Sequence, residues 1–198
     1  MMELSKNYFA SLGQVMAEIT VSVAEANPTS FHDGVEAACH LILTHSKGGK
    51  KLIFIGNGAS ASIASHISTD FCKNGGIRAV AFNDSSLLTC ISNDYGYKHV
   101  FEKPVEMFAD EGDLLVAISS SGKSENILRG VDMARDKGCK IITLSGFEKN
   151  NPLSKLGDIN FYVPAKEYGP VEILHTAICH AILDVIISHR QTQTHAGK

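Results

Sequence analysis

From position 50 onward, short apolar blocks alternate with longer stretches in which apolar residues recur every three or four positions. Leu52-Ile-Phe-Ile55 and Leu114-Leu-Val-Ala-Ile118 are apolar throughout. A strand with one wet face would alternate, so these blocks read as strands covered on both sides. The pattern predicts strands at 52–55, 78–82, 114–119, 140–144 and 159–163. It predicts helices at 60–72, 124–137 and 170–189, and shorter ones between 84 and 108. Such alternation predicts an α/β fold with a parallel sheet between helical layers. Ahead of it, Tyr8, Leu12, Val15, Met16, Ile19 and Val23 make one apolar stripe and predict a helix over 3–25. After Pro28, a second helix is predicted from about 31 to 45, capped by Ser30, with Val35, Ala38, Leu41 and Ile42 inward. Two leading helices exceed what a minimal α/β domain needs, so they pack on the sheet or between subunits. The polar end, from His189 on, is expected to fray.

Composition narrows the class. The chain has 198 residues, 44% hydrophobic and 20% charged, which suits one domain with a sizeable core. Its expected divisions are leading helices at 1–48, an α/β core at 49–190 and a tail at 191–198. A net charge of -3 argues against a nucleic-acid surface. The five cysteines are scattered, with no C-x-x-C pair, so neither a disulfide scaffold nor a Cys-rich zinc site is expected. No apolar run approaches the roughly 20 residues of a membrane span. The N-terminus lacks the basic-then-apolar pattern of a secretory signal. A cytoplasmic protein without nucleic-acid or membrane partners is the expectation.

Candidate chemistry begins just after the first predicted strand. Gly56-Asn-Gly-Ala-Ser60 reads as a tight turn into a helix capped by Ser60. Backbone N–H groups at such a helix start favour an anion, most often phosphate. One turn further, His66 and Asp70 stand i, i+4 on one helix face. The turn also fits a relaxed dinucleotide fingerprint, G-x-G-x-x-A, with Asp84 placed as a ribose-binding acid. A nucleotide domain and a sugar-phosphate site are equally compatible with this loop alone.

The second loop, Ile118-Ser-Ser-Ser-Gly-Lys-Ser124, favours the phosphate of a small molecule. Ser119, Ser120, Ser121 and Ser124 supply hydroxyls, and the turn supplies N–H groups at a helix start. Ala117 stands where a P-loop requires its first glycine, so an ATPase is disfavoured. Asn93-Asp-Tyr-Gly96 reads as a turn or as hydrogen-bonding groups for sugar hydroxyls. On the last predicted helix, Glu172 and His180 are eight residues apart, about 80° around the axis, and can share one cleft. His66, Asp70, Glu172 and His180 together suit a zinc-type site or an acid/base pair.

In this order and spacing, these residues resemble the sugar isomerase (SIS) domain family, and within it the phosphoheptose isomerases. The resemblance covers nearly the whole chain. It implies a five-stranded parallel sheet of flavodoxin-like three-layer build, and a homotetramer with interfacial active sites. It implies interconversion of sedoheptulose 7-phosphate and D-glycero-D-manno-heptose 7-phosphate, for lipopolysaccharide or capsule heptose. Zinc would sit at His66, Asp70, Glu172 and His180, with Asp70 and His180 as the catalytic acid/base candidates. The phosphate would lie on Ser119, Ser120, Ser121 and Ser124. Asn57, Gly58, Ala59, Asn93 and Asp94, with Asp70 and Glu172, would contact the sugar. The family usually carries Glu where this chain has Asp70 and Gln where it has Glu172, and often an Arg in the segment that here reads Tyr168-Gly-Pro-Val171. Two other readings remain at this point: a non-catalytic SIS protein that binds sugar phosphates or a replication initiator, and a nucleotide-binding Rossmann domain.

Overall fold

The computed structural model describes residues 1–23 and 28–196. In chain order the elements are α1 (Met2–Ala17), β1 (Thr20–Val23), α2 (Phe31–Lys47), β2 (Leu52–Gly56), α3 (Ala59–Lys73), β3 (Ala79–Ala81) and α4 (Ser85–Tyr95). They continue with α5 (Glu102–Phe108), β4 (Leu114–Ser119), α6 (Glu125–Asp136), β5 (Lys140–Ser145), β6 (Ile159–Tyr162) and α7 (Tyr168–Ala196). The sheet order is β1-β6-β5-β4-β2-β3. The five predicted strands form the parallel part, in the doubly wound order of flavodoxin-like sheets.

The apolar blocks behave as their patterning requires. Leu52 and Phe54 of β2, and Leu114, Val116 and Ile118 of β4, face a core shared with α2, α3 and α7. Ile53, Ile55, Leu115 and Ala117 face the opposite core, shared with α4, α5 and α6. Period-two alternation thus serves both faces, and each fully buried Leu or Phe contributes about 1.5–3 kcal/mol of transfer free energy. By length and composition alone α7 could cross a membrane. However, its Val171, Leu174, Ile178, Ile182 and Ile186 lie in the first core, which is how a core helix is used.

Three boundaries differ from the sequence expectation. The first predicted helix stops at Ala17, and Thr20-Val-Ser-Val23 becomes β1, antiparallel to β6 with Thr20 opposite Tyr162. A β-branched run with Val21 1% exposed pairs at the sheet edge better than it extends a helix. Positions 24–25 of that helix lie outside the described residues. The sheet therefore has a sixth, antiparallel strand beside the five parallel ones. At the other end, α7 continues through Ala196, so 191–196 are helical rather than frayed; 197–198 lie outside the described residues. Finally, α3 starts at Ala59, with Gly58 at its N-cap and no side-chain cap, so Ser60 is in the first turn and not the cap. Ser30 caps α2 as expected, accepting from Asp33 N–H.

Candidate active site

In doubly wound sheets, ligands bind beyond the strand carboxyl ends where the strand order reverses. Here that point lies between β2 and β4. A cavity of about 250 Å³ opens there, lined by Asn57, Gly58, Ala59, Ser60, Ile118, Ser119, Ser120, Ser121, Ser124, Tyr168 and Glu172. Both loops singled out in the sequence therefore meet in one cavity. Its walls offer hydroxyls and the open N-termini of α3 and α6, with Glu172 as a carboxylate. Neither helix start is blocked by its own side chain: Gly58 and Ser124 make no side-chain cap bond.

Local sequence explains the shape of both loops. A Cβ on Gly56 would lie 2.5 Å from Ser60 O, so only glycine lets the first turn of α3 come this close to β2. Gly122 has φ +60°, and a Cβ there would strike the Asn151 amide oxygen at 1.9 Å. Asn151, 0% exposed, also donates to Glu148 O at 2.8 Å, while Leu153 N–H donates to Gly122 O at 3.1 Å. The serine loop is thus clamped by the 3-10 turn at Pro152–Lys155. Ser119 Oγ accepts from Gly122 N–H at 3.2 Å, and Ser121 Oγ from Lys123 N–H at 3.2 Å. The Lys123 ammonium pairs with exposed Glu148 at 2.8 Å. It is therefore engaged at the surface, unlike the phosphate-holding lysine of a P-loop.

Asn57 is held from two sides. It exchanges two amide hydrogen bonds with Asn126, both 2.9 Å, and its oxygen also accepts from Tyr97 OH at 3.2 Å. Asn126 is 4% exposed. Asn93 and Asp94 are exposed in the last turns of α4; Asn93 donates to Asp94 at 2.9 Å, and neither lines the cavity. The Asp84 carboxylate caps α4, accepting from Leu87 N–H at 3.0 Å.

The second feature is a cluster across α3 and α7. One ligand atom from each of His66, Asp70 and His180 lies within 4.8 Å of the others. His66 Nε2 is 3.4 Å from the Asp70 carboxylate, and the two imidazole rings stand 5.4 Å apart at 60°. Asn74 donates to the other Asp70 oxygen at 3.3 Å. Two nitrogen donors and one carboxylate form a set that can hold a metal ion with a position left open. Glu172 lies outside this group and lines the cavity, two helical turns from His180. On each helix, then, a cavity residue precedes a cluster residue. Ala59 to His66 on α3 spans about 10 Å of axis, and Glu172 to His180 on α7 about 12 Å.

Between Glu172 and His180, His175 is fully buried. Its Nε2 lies 3.2 Å from Ser145 O and its Nδ1 has no partner. Burial pushes its pKa down to about 4, against the raising effect of the Ser145 carbonyl. The ring is therefore neutral at pH 7. Gly146 N–H donates to Ser120 O at 3.0 Å, so α7, the end of β5 and the serine loop are tied together. Phe147, next in line, has φ 55°, a conformation costing about 1–2 kcal/mol for a side-chain-bearing residue.

Sequence reasoning missed Asn126, Asn151, Asn74 and Tyr97 as supports. Asn126 had a signal: it falls on the face of α6 that carries Ile127, Gly130, Val131 and Ala134, all buried. A polar residue there needs a partner.

The fold and the paired loops define a sugar-isomerase-type class, and comparison agrees. The SIS domain model matches residues 8–146, and the chain belongs to the SIS domain family. Among curated relatives, the phosphoheptose isomerase of Aliarcobacter butzleri (strain RM4018) is 36% identical over 163 residues, 79% of this chain and 86% of the relative. That of Geobacter metallireducens is 35% identical over 170 residues, 83% and 89% respectively. The solved phosphoheptose isomerase from Neisseria gonorrhoeae superposes with a TM-score of 0.84 at 30% identity, covering 94% of this chain and 98% of that one. The one from Francisella tularensis gives 0.82 at 28% identity, covering 96% and 98%.

Proposed function

We propose that the protein is a cytoplasmic aldose–ketose isomerase of the phosphoheptose isomerase type. It interconverts sedoheptulose 7-phosphate and D-glycero-D-manno-heptose 7-phosphate, a step toward surface-polysaccharide heptose. The observation that carries this reading is the pairing of an anion cavity with an acid/base cluster some 10–12 Å along α3 and α7. A long sugar phosphate spans that gap with its phosphate at one end and its reacting carbons at the other. The similarity to phosphoheptose isomerases supports the substrate class.

Ser119, Ser120, Ser121 and Ser124, with the N–H groups opening α6, hold the phosphate. Asn57, Gly58 and Ala59 border the sugar chain, and Glu172 accepts hydrogen bonds from its hydroxyls. Asn93 and Asp94, on α4 outside the cavity lining, are further hydrogen-bonding candidates for the sugar hydroxyls. From the ketose, a base takes a proton from C1 while an acid protonates O2, giving an enediol. Return of the carbon proton to C2 and loss of the O1 proton then gives the aldose. Asp70 and His180 supply the base and the acid. His66 and Asn74 hold the Asp70 carboxylate in place. The donor set His66, Asp70 and His180 fits zinc, which when bound supplies Lewis-acid polarisation of the carbonyl. The active assembly is a homotetramer with sites at subunit contacts.

Purified protein loaded with zinc is expected to convert sedoheptulose 7-phosphate to the aldose. His180→Ala, which removes one of the two proton-transfer groups, is expected to lower kcat by about 100-fold or more with the fold intact by circular dichroism. Absence of turnover in the metal-loaded wild type sinks the assignment.

A further inference from the structure

Tyr168 belongs to none of the roles above. It opens α7, is 63% exposed, and yet lines the phosphate cavity beside Glu172. A residue that is both cavity wall and solvent-exposed stands between the two. An exposed tyrosine at a helix start would ordinarily rotate freely, but this one is braced. The Phe147 ring meets it edge to face, with centroids 5.0 Å apart at 79°. Phe147 is the one non-glycine with positive φ among the described residues. Both its backbone groups are pinned: its N–H donates to Ala165 O at 2.9 Å, and its carbonyl accepts from Tyr162 OH at 3.0 Å. Strain of this kind persists where surrounding bonds enforce it, and it points to a positional demand. What it positions here is the ring behind Tyr168.

Given the isomerase reading, we propose that Tyr168, braced by Phe147, is a substrate-positioning residue. Its ring closes the open side of the phosphate cavity, and the carbons next to the phosphate pack against it. The sugar chain is thereby turned away from solvent and along α3 and α7 toward His66 and His180. The ring does this, not the hydroxyl, and it acts on the carbon chain rather than on the phosphate.

The test is steady-state kinetics with sedoheptulose 7-phosphate, combined with inhibition by inorganic phosphate. Losing one aromatic packing contact in Tyr168→Ala should raise KM by about 3- to 10-fold with little change in kcat. Inhibition by inorganic phosphate should be unchanged, because the serine loop is untouched. Tyr168→Phe should behave as wild type, and Phe147→Ala should raise KM in the same direction. The exposure of Tyr168 makes failure to fold no obstacle. An unchanged KM in Tyr168→Ala overturns the proposal. So does a parallel loss of phosphate inhibition, or a failure of Tyr168→Phe to restore wild-type KM. If wild type turns over no sugar phosphate while phosphate still binds, the isomerase reading itself falls and this inference falls with it.

Discussion

A buried, neutral His175 makes the protein acid-sensitive in a defined window. In the unfolded chain an imidazole titrates near 6.5, whereas here burial holds it down to about 4. Between these values the unfolded state binds the extra proton, so stability is full above pH 6.5 and is lost as pH falls toward 4. A shift of this size corresponds to about 3 kcal/mol. Urea unfolding at pH 7.5 and pH 5 should show this slope in wild type. In His175→Phe the slope should be shallower, even though that variant loses the Ser145 bond. Equal slopes would contradict the assignment. His66 and Asp70 were legible as a pair because i, i+4 spacing on a helix is a geometric fact. That His180 joins them was not, because it depends on α3 and α7 packing side by side. Asp70 is steadied by Asn74, a neighbour i+4 whose amide donates to the Asp70 carboxylate.

At the scale of elements, the loops matter through what backs them. Asn126 reaches from α6 to lock Asn57 at the end of β2 by two reciprocal bonds. Asn126→Leu leaves the Asn57 NH2 group without its acceptor, with Tyr97 OH still donating to the Asn57 oxygen. It should lower stability by about 1–2 kcal/mol and raise KM for the sugar phosphate, with smaller effect on kcat. Thermal unfolding and kinetics on the same preparation check both; a variant with wild-type KM would remove Asn57 from the substrate's surroundings. Strands β2 and β4 and both loops were legible because unbroken apolar blocks running into Gly56 or Ser119 admit few other readings, and the other three parallel strands followed from the strand–helix alternation. Strand β1 was not. Ile19 and Val23 continue the helical spacing of α1, and the partner that makes Thr20–Val23 a strand is β6, far along the chain. That helical spacing masked the β-branched residues of Thr20–Val23, and the pairing partner is non-local. The clamp by Asn151 on Gly122 was hidden by the same non-locality.

For the whole molecule, α1 meets its own protomer only lightly, through half-buried Leu12 and Val15 against the first core. It has no buried residue, and Leu4 and Phe9 are 72% and 67% exposed. Apolar side chains gathered on one such helix mark a contact between chains. The homotetramer proposed above would use this helix as a subunit contact. Phe9→Glu should therefore dissociate the assembly in sedimentation velocity and lower activity, while the far-ultraviolet circular dichroism stays that of wild type. Retained assembly would place the interface elsewhere. In the proposed reaction, proton transfer at the His66–Asp70–His180 cluster isomerises a sugar held by its phosphate at the serine loop. The most direct test is to incubate metal-loaded protein with sedoheptulose 7-phosphate in D2O and read the product by proton NMR. Wild type should give the aldose with deuterium at C2, and His180→Ala neither product nor exchange. Failure of wild type to form the aldose, or the same exchange in the variant, would contradict the proposed reaction.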